Sequence, residues 1–189
     1  VRLSNVIGRE VEMLRLYDFH ESGNGFKVRL LLALLGTAVE RIEMDILEGE
    51  TRTEEFLARN PNGRIPLLEF EDGRTLAESN AILYFLAQDT AYWPKDSFLR
   101  AQVLQWMCFE QYSHEPYIAT ARYIKKYLGL PKEREAEYHG KQEGGHKALA
   151  IMNEQLTRQD YLVGDRITIA DIALYAYTQV AHDGRFDLA

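Results

Sequence analysis

One segment, Asn60–Gln88, constrains the fold more than any other, because it combines two prolines, tight turns and the start of an apolar helix. Pro61 lies in a turn sequence, and Pro66 directly precedes two leucines that are typical of a strand. A proline that enters a strand gives up a backbone donor, which a sheet tolerates at a strand start or an edge. We therefore predict a strand that starts at Pro66, with a cis Ile65-Pro66 bond that leaves the Ile65 backbone available to a ligand.

The second half of this segment predicts an anion-binding helix start. Glu71–Arg74 turns the chain back, and Thr75–Ala77 forms the return strand. The apolar run Ala81–Leu86 then predicts a helix with Ser79 at its N-cap. Because the first backbone N–H groups of a helix have no partner within the helix, they can hold a small anion beside Ser79.

Charge and cysteine content restrict the classes of partner. The chain has 22 basic and 29 acidic residues, a net charge of −7, which argues against a nucleic-acid surface or an anionic membrane. An anionic ligand must therefore be held locally. The single cysteine, Cys108, excludes an internal disulfide and offers no metal-binding cluster, so we expect a reducing cytosol, no metal, and a buried Cys108 among apolar helix residues. No apolar run is long enough to predict a transmembrane helix.

The first half of the chain alternates between strand and helix patterns, in the order β-α-β-α-β-β-α. The elements before Asn60 are predicted as a strand at Leu14–Phe19, a loop at His20–Gly25, a helix at Phe26–Leu35, a strand at Val39–Ile46 and a short helix at Thr51–Leu57. The helix at Phe26–Leu35 is so apolar that we expect it to be buried.

The second half predicts helices only. A linker at Asp89–Ser97 is followed by a helix from Leu99 to about Gly129 and a second helix over Lys132–Leu156, in which Gly144 and Gly145 could introduce a kink. A last helix starts at Thr168, where Asp171 completes a capping box. We expect domains at residues 13–88 and 98–189, a linker at 89–97, and a leader or vector-derived segment at 1–12, with Met13 as the natural start.

The element order and three motifs resemble the glutathione transferase superfamily. The motifs are NPNGRIPLLE at Asn60–Glu69, the Glu78-Ser79 pair ahead of AILYFL, and the capping box within Ile167–Ile172. The resemblance implies an α/β plus all-α fold, with a thioredoxin-like glutathione-binding domain followed by a helical bundle. It also implies a cytosolic homodimer. Family members usually continue for about one more helix, so we expect a further helix past Ala189.

The resemblance also implies which residues bind glutathione. Glu78 and Ser79 match the pair that holds the γ-glutamyl end, with Ser79 on the α-carboxylate and Glu78 on the ammonium group. Ile65 and Pro66 match the position whose backbone pairs with the cysteinyl part. Arg64 and Arg52 are looser candidates near the glycyl carboxylate, since their match to the family is weaker.

Catalysis in this family requires a donor that stabilises the glutathione thiolate at the end of the first strand. A thiol with a pKa of about 8.5 is only a few per cent ionised at pH 7, and a shift of about two units, roughly 2.7 kcal/mol, would make it mostly thiolate. One or two hydrogen bonds to the sulfur supply that amount. Ser22 resembles the donor of serine-type classes and Asn24 the asparagine of some disulfide-reducing members, while Tyr17 ranks third; the sequence leaves this choice open.

The resemblance therefore implies a transferase that conjugates the glutathione thiolate to a small apolar electrophile. Two alternatives remain open: a glutathione-dependent disulfide or peroxide reductase, favoured by Asn24, and a non-catalytic glutathione-binding or regulatory scaffold. The candidate residues of the electrophile pocket are Phe19, His20, Tyr112 and His114.

Overall fold

The computed structural model describes residues 14–188. The chain divides into two compact units between Trp93 and Pro94, and the leader expected at residues 1–12 lies outside the described part. Among residues 14–188 no helix is both long and apolar enough to cross a membrane.

The first unit is built on a four-stranded mixed sheet. Its strand order is β2-β1-β3-β4, with β1 parallel to β2 and β3 antiparallel to both β1 and β4. The strands are β1 at Arg15–Asp18, β2 at Glu40–Glu43, β3 at Leu67–Glu69 and β4 at Thr75–Ala77. This topology confirms the predicted thioredoxin-like domain, although β2 is shorter than the predicted Val39–Ile46.

Three helices complete this unit: α1 at Gly23–Leu34, α2 at Glu54–Arg59 and α3 at Ser79–Ala87. Helices α1 and α3 contact each other, and their apolar faces supply fully buried core residues such as Leu31 and Ile82. The short helix predicted at Thr51–Leu57 is a 3-10 turn at Glu50–Arg52 followed by α2. The break falls at Thr53, whose side chain caps α2 by accepting from the Phe56 N–H at 3.3 Å.

Helix α1 begins three residues earlier than the predicted Phe26. Ser22 is its N-cap, with an extended backbone and a side-chain Oγ that accepts from the Gly25 N–H at 3.2 Å. A glycine within a helix lowers helix stability by about 1 kcal/mol relative to alanine, whereas a serine at the N-cap raises helix stability by a similar amount. The sequence His20–Gly25 therefore contains the first helical turn as well as a loop, which changes the position of Asn24.

The described part of the second unit, residues 94–188, contains helices and no strand. They are α4 at Ser97–Phe109, α5 at Glu115–Arg122, α6 at Glu135–Leu156 and α7 at Ile169–Thr178. The helix predicted from Leu99 to Gly129 is continuous but widens into π-helical turns at Glu110–His114 and Tyr123–Tyr127. A buried cluster joins α5, α6 and α7 through residues that include Ile118, Tyr138 and Tyr177.

Three expectations about this unit have different outcomes. The capping box is confirmed, because Asp171 Oδ2 accepts from the Thr168 N–H at 2.8 Å and Thr168 caps α7. The glycine pair does not interrupt α6; a Cβ at Gly144 or Gly145 would overlap the ring of Tyr117 or Phe186 respectively, so these glycines allow close packing. The predicted burial of Cys108 is wrong: its thiol is exposed, because its apolar neighbours turn to the other face of α4.

Candidate functional site

The start of α3 has an unusual backbone geometry. Glu78, not Ser79, is the N-cap residue, and it adopts φ 68° and ψ 112°, a conformation that a non-glycine residue rarely takes. Its carboxylate makes no capping bond and is exposed. Ser79 is therefore the first residue of the helix, which corrects the predicted N-cap role. A strained residue of this kind persists where the surrounding structure fixes it, and such residues cluster at binding sites.

The loop after β1 is fixed from several directions. The Ser22 N–H donates to the Phe19 carbonyl at 2.8 Å, and the His20 N–H donates to Glu43 Oε1 at 2.6 Å. The His20 carbonyl accepts from Arg29 Nη2 at 2.8 Å. Strand β2 and helix α1 thus hold the short connection that ends at Ser22, one of the predicted thiolate donors.

Asn24, a predicted thiolate donor, and Ser79, a predicted glutathione-binding residue, contact each other in the structure. Asn24 lies in the first turn of α1, and its Oδ1 accepts from the Ser79 hydroxyl at 3.3 Å. The two residues are 55 positions apart in sequence, and each lies at the N-terminal end of a helix. Ser79 is 5% exposed, whereas Ser22 and Asn24 are partly exposed. Helices α1 and α3 therefore present their first turns to one another.

A lysine that the sequence analysis did not select joins this pair. Lys27 Nζ lies 2.8 Å from Asn24 Oδ1 and 3.3 Å from Ser79 Oγ, and the lysine is fully buried. The signal in the sequence is a lysine within the otherwise apolar helix Phe26–Leu35, since a buried charge is costly unless it has polar partners. Periodicity alone would have placed Lys27 on a solvated face.

A second buried charge, Asp18, lies beneath the loop at the end of β1. Its carboxylate pairs with the Arg29 guanidinium and lies 3.8 Å from Arg41. Burial raises the pKa of Asp18, although the two arginines act in the opposite direction. Gly25 makes room for this carboxylate, because a Cβ at that position would overlap Asp18 Oδ1. Asp18 is not predictable as a site residue from sequence, because nothing local to β1 marks this aspartate as buried.

Tyr17, the third candidate for the thiolate contact, points elsewhere. Its hydroxyl donates to Glu69 Oε2 at 2.7 Å, and its ring packs edge-on to Phe56 in the core. Burial and the bond to the Glu69 carboxylate raise the pKa of the Tyr17 hydroxyl. Since Glu69 pairs with Arg15 across the sheet, the phenol extends toward the start of β1, away from the loop that follows β1.

The segment before β3 has the predicted cis Ile65-Pro66 bond. Within residues 14–188, no hydrogen bond engages the backbone of Ile65, which is partly exposed just ahead of β3. Asn60 Nδ2 donates to the Arg64 carbonyl at 2.7 Å and closes the preceding turn. The side chain of Arg64 is exposed, and Arg52 Nη1 donates to the Asn62 carbonyl at 3.1 Å on the same turn.

The four candidate residues of the electrophile pocket are divided between the units. Phe19 is partly exposed and His20 is exposed in the first unit. In the helical unit, Tyr112 is 81% exposed, whereas His114 is fully buried and its Nε2 lies 2.9 Å from Thr178 Oγ1 on α7. A buried ring held in this way is typical of a packing role for His114.

A mixed sheet with a cis-proline ahead of β3, followed by an all-helical unit, defines a thioredoxin-like domain joined to a helical domain. Two family models match the chain: "Glutathione S-transferase, N-terminal domain" at residues 12–88 and "Glutathione S-transferase, C-terminal domain" at residues 105–188. The chain belongs to the glutathione S-transferase family.

The chain is also similar to several solved structures and curated sequences. The glutathione S-transferase from Pseudomonas fluorescens Pf-5 is 56% identical, with a TM-score of 0.92 over 94% of this chain and 88% of that one. Ure2p in complex with S-hexylglutathione is 25% identical, with a TM-score of 0.84 over 95% of this chain and 89% of that one. Elongation factor 1-gamma from Artemia salina is 34% identical over 161 residues; the match covers 85% of this chain and 36% of that protein's length.

Proposed function

We propose that this protein is a cytosolic glutathione transferase, which joins the glutathione thiolate to a small apolar electrophile. The observation that carries the proposal is the hydrogen bond between Asn24 and Ser79. This contact supports the proposal because Asn24, the proposed donor to the thiolate, lies beside Ser79, which is expected to bind the γ-glutamyl end, so that one glutathione molecule could engage both residues. The complex of Ure2p with S-hexylglutathione supports a glutathione site on this fold.

Each part of glutathione has a matching group in the first unit. The N-terminal end of α3, with the N–H and hydroxyl of Ser79, suits the α-carboxylate, and the exposed Glu78 carboxylate suits the ammonium group. The Ile65 backbone suits the cysteinyl part, which would add a short β-bridge ahead of Pro66. Arg64 and Arg52 are both exposed; Arg64 directly precedes Ile65, Arg52 contacts the Asn62 carbonyl of the preceding turn, and both suit the glycyl carboxylate.

The chemical step needs hydrogen bonds to sulfur. The Asn24 amide and the Ser22 hydroxyl would stabilise the thiolate, which attacks the electrophilic carbon as an S–C bond forms and the leaving group departs with its electron pair. Holding both reactants in one site supplies much of the rate. Phe19 and His20 are our candidates for contacts with the electrophile, because each has an exposed surface, while His114 is buried.

Two alternatives each have a supporting observation. Asn24 resembles the asparagine of disulfide-reducing members, which favours glutathione-dependent reduction of a disulfide. The similarity to elongation factor 1-gamma favours a non-catalytic role in which the fold serves partner binding. Turnover of an aryl halide supports the transferase, turnover of a dialkyl disulfide alone supports the reductase, and binding without either reaction supports the scaffold.

Replacing Ser79 with alanine is expected to weaken glutathione binding by about 10- to 100-fold. The reason is the loss of a hydroxyl bond to a charged carboxylate, worth about 1.5–3 kcal/mol. Isothermal titration calorimetry with glutathione measures the effect. The matched control is Ser97→Ala, because Ser97 is the first residue of α4 and is exposed. Wild-type protein that neither binds glutathione nor is retained on immobilised glutathione would contradict the proposed function.

We also propose that the protein is a homodimer, as most family members are. An exposed stripe along α4 and the π-helical turn after it supports this proposal, with Leu104 45% exposed, Cys108 exposed and Tyr112 81% exposed at four-residue spacing. Replacing Leu104 with glutamate is expected to shift the protein toward monomer at micromolar concentration, because a charge would lie in an apolar contact. Sedimentation velocity measures the change, and a monomeric wild type would refute the dimer.

A further inference from the structure

Lys27 lies against two residues of the proposed glutathione site, Asn24 and Ser79. It is fully buried in α1, yet its ammonium group contacts both Asn24 Oδ1 and Ser79 Oγ. Burying a lysine ammonium costs free energy unless polar groups compensate for it, and Asn24 and Ser79 are the two polar groups that it contacts.

The contact fixes the orientation of the Asn24 amide. A lysine ammonium is a donor only, so the amide atom 2.8 Å from it must be the carbonyl oxygen. The Ser79 hydroxyl donates to the same oxygen. Because the amide is planar, its NH₂ group then lies on the opposite side from Lys27. Were the amide reversed, an acceptor oxygen would take the place of the NH₂ group, and an acceptor cannot donate a hydrogen bond to a thiolate.

Lys27 also makes this orientation independent of ligand binding. A hydroxyl has a single proton, so Ser79 cannot donate to Asn24 and to a bound carboxylate at the same time. When glutathione takes that proton, the ammonium of Lys27 still holds Asn24 Oδ1. Ser79 can therefore turn to the ligand without releasing the amide.

We propose that Lys27 is a positioning residue, which orients the Asn24 amide so that its NH₂ group donates to the glutathione sulfur. This inference rests on the proposed function, in which Asn24 contacts the thiolate. Lys27 acts through Asn24 and does not itself contact the reacting atoms.

The test is a double-mutant cycle that measures the pKa of the bound glutathione thiol from the ultraviolet absorbance of the thiolate. Lys27→Met keeps the volume of the stem and removes every donor. It is expected to raise the thiol pKa by about 0.5–1 unit and to lower kcat with an aryl halide by about 3- to 10-fold at pH 7. In the Asn24→Ala background, Lys27→Met is expected to change the thiol pKa no further, since residues that act together are not additive.

Two further variants separate orientation from charge and from folding. Lys27→Gln keeps a neutral donor to Asn24 Oδ1, so it is expected to retain most of the low thiol pKa that Lys27→Met loses. Lys147→Met, at an exposed lysine on α6, makes the same change in net charge and is expected to leave the thiol pKa unchanged.

The possible results distinguish failure of this inference from failure of the proposed function. A Lys27→Met protein with the wild-type thiol pKa would overturn the positioning role. An equal shift in the Asn24→Ala background would also overturn it, because Lys27 would then act directly through its charge. If Asn24→Ala alone leaves the thiol pKa unchanged, the proposed contact between Asn24 and the thiolate is wrong and the role of Lys27 is refuted with it.

Discussion

Replacing Asn24 with alanine is expected to lower kcat with an aryl halide by about 100-fold at pH 7 and to raise the pKa of the bound thiol by one to two units. A hydrogen bond to a charged acceptor contributes about 1.5–3 kcal/mol, and each 1.36 kcal/mol corresponds to one unit of pKa. Losing one donor from a site for developing negative charge typically costs 100- to 1000-fold in kcat. Steady-state kinetics and thiolate absorbance measure the two effects.

The pH dependence has a definite sign. In the proposed mechanism the wild-type site lowers the pKa of the bound thiol, so thiolate is expected already at pH 7, whereas the variant should form thiolate only as the pH approaches the free value of about 8.5. The ratio of wild-type to variant activity should therefore fall as the pH rises from 6 to 9. If the activity of the variant is as far below wild type at pH 9 as at pH 7, Asn24 contributes to catalysis in another way besides lowering the pKa of the thiol.

Matched variants identify the donor. Ser22→Ala is expected to cost about 1 kcal/mol of stability, because Ser22 caps α1, along with a smaller change in the thiol pKa. Asn153→Ala, at an exposed asparagine on α6, should retain wild-type kinetics. If Ser22→Ala shifts the thiol pKa and Asn24→Ala does not, Ser22 is the donor and the site is of the serine type.

Replacing Gly25 with alanine is expected to destabilise the protein by about 3–5 kcal/mol. The new Cβ would overlap the carboxylate of Asp18, which is fully buried and paired with Arg29. The overlap can be relieved in two ways, and each is destabilising. Moving the Asp18 carboxylate breaks its buried ion pair with Arg29, and moving the start of α1 breaks the hydrogen bond of the Ser22 cap. Urea denaturation followed by circular dichroism measures the loss.

The chain contains a control for this substitution. Gly140 lies in α6 with open space where a Cβ would be, and its φ is ordinary. Gly140→Ala is therefore expected to stabilise the protein by about 0.5–1 kcal/mol, because alanine favours a helix over glycine. Wild-type stability in Gly25→Ala would show that the Asp18 carboxylate does not lie against the first turn of α1.

Much of the fold follows from signals that are local in sequence. The cis Ile65-Pro66 bond, the turn before it and the Thr168–Asp171 capping box each depend on residues within a few positions of one another, and the structure confirms each of them. Local propensity fails where two local effects compete. At Gly23–Gly25 the glycines predicted a loop, while the Ser22 cap began the helix.

The rest of the site depends on contacts between distant segments. The Asn24–Ser79 bond spans 55 residues, and the buried charges of Lys27 and Asp18 have meaning only once α1 packs on α3 and β1. The burial of Cys108 is also predicted wrongly from its neighbours in sequence: they are apolar, but they lie on a different face of α4 and Cys108 is exposed. Residue type and spacing alone cannot give the direction of a side chain on a helix.

The role of Ser22 as the N-cap of α1 also affects the consequence of replacing its hydroxyl with a thiol. A cysteine at position 22 would lie at a helix N-terminus, where a thiol ionises readily and becomes a nucleophile for disulfide exchange. However, sulfur accepts hydrogen bonds only weakly, so the same change would sacrifice most of the cap on α1. An evolutionary route from hydroxyl to thiol chemistry at this position therefore passes through a less stable α1. That route would require compensating substitutions elsewhere in α1.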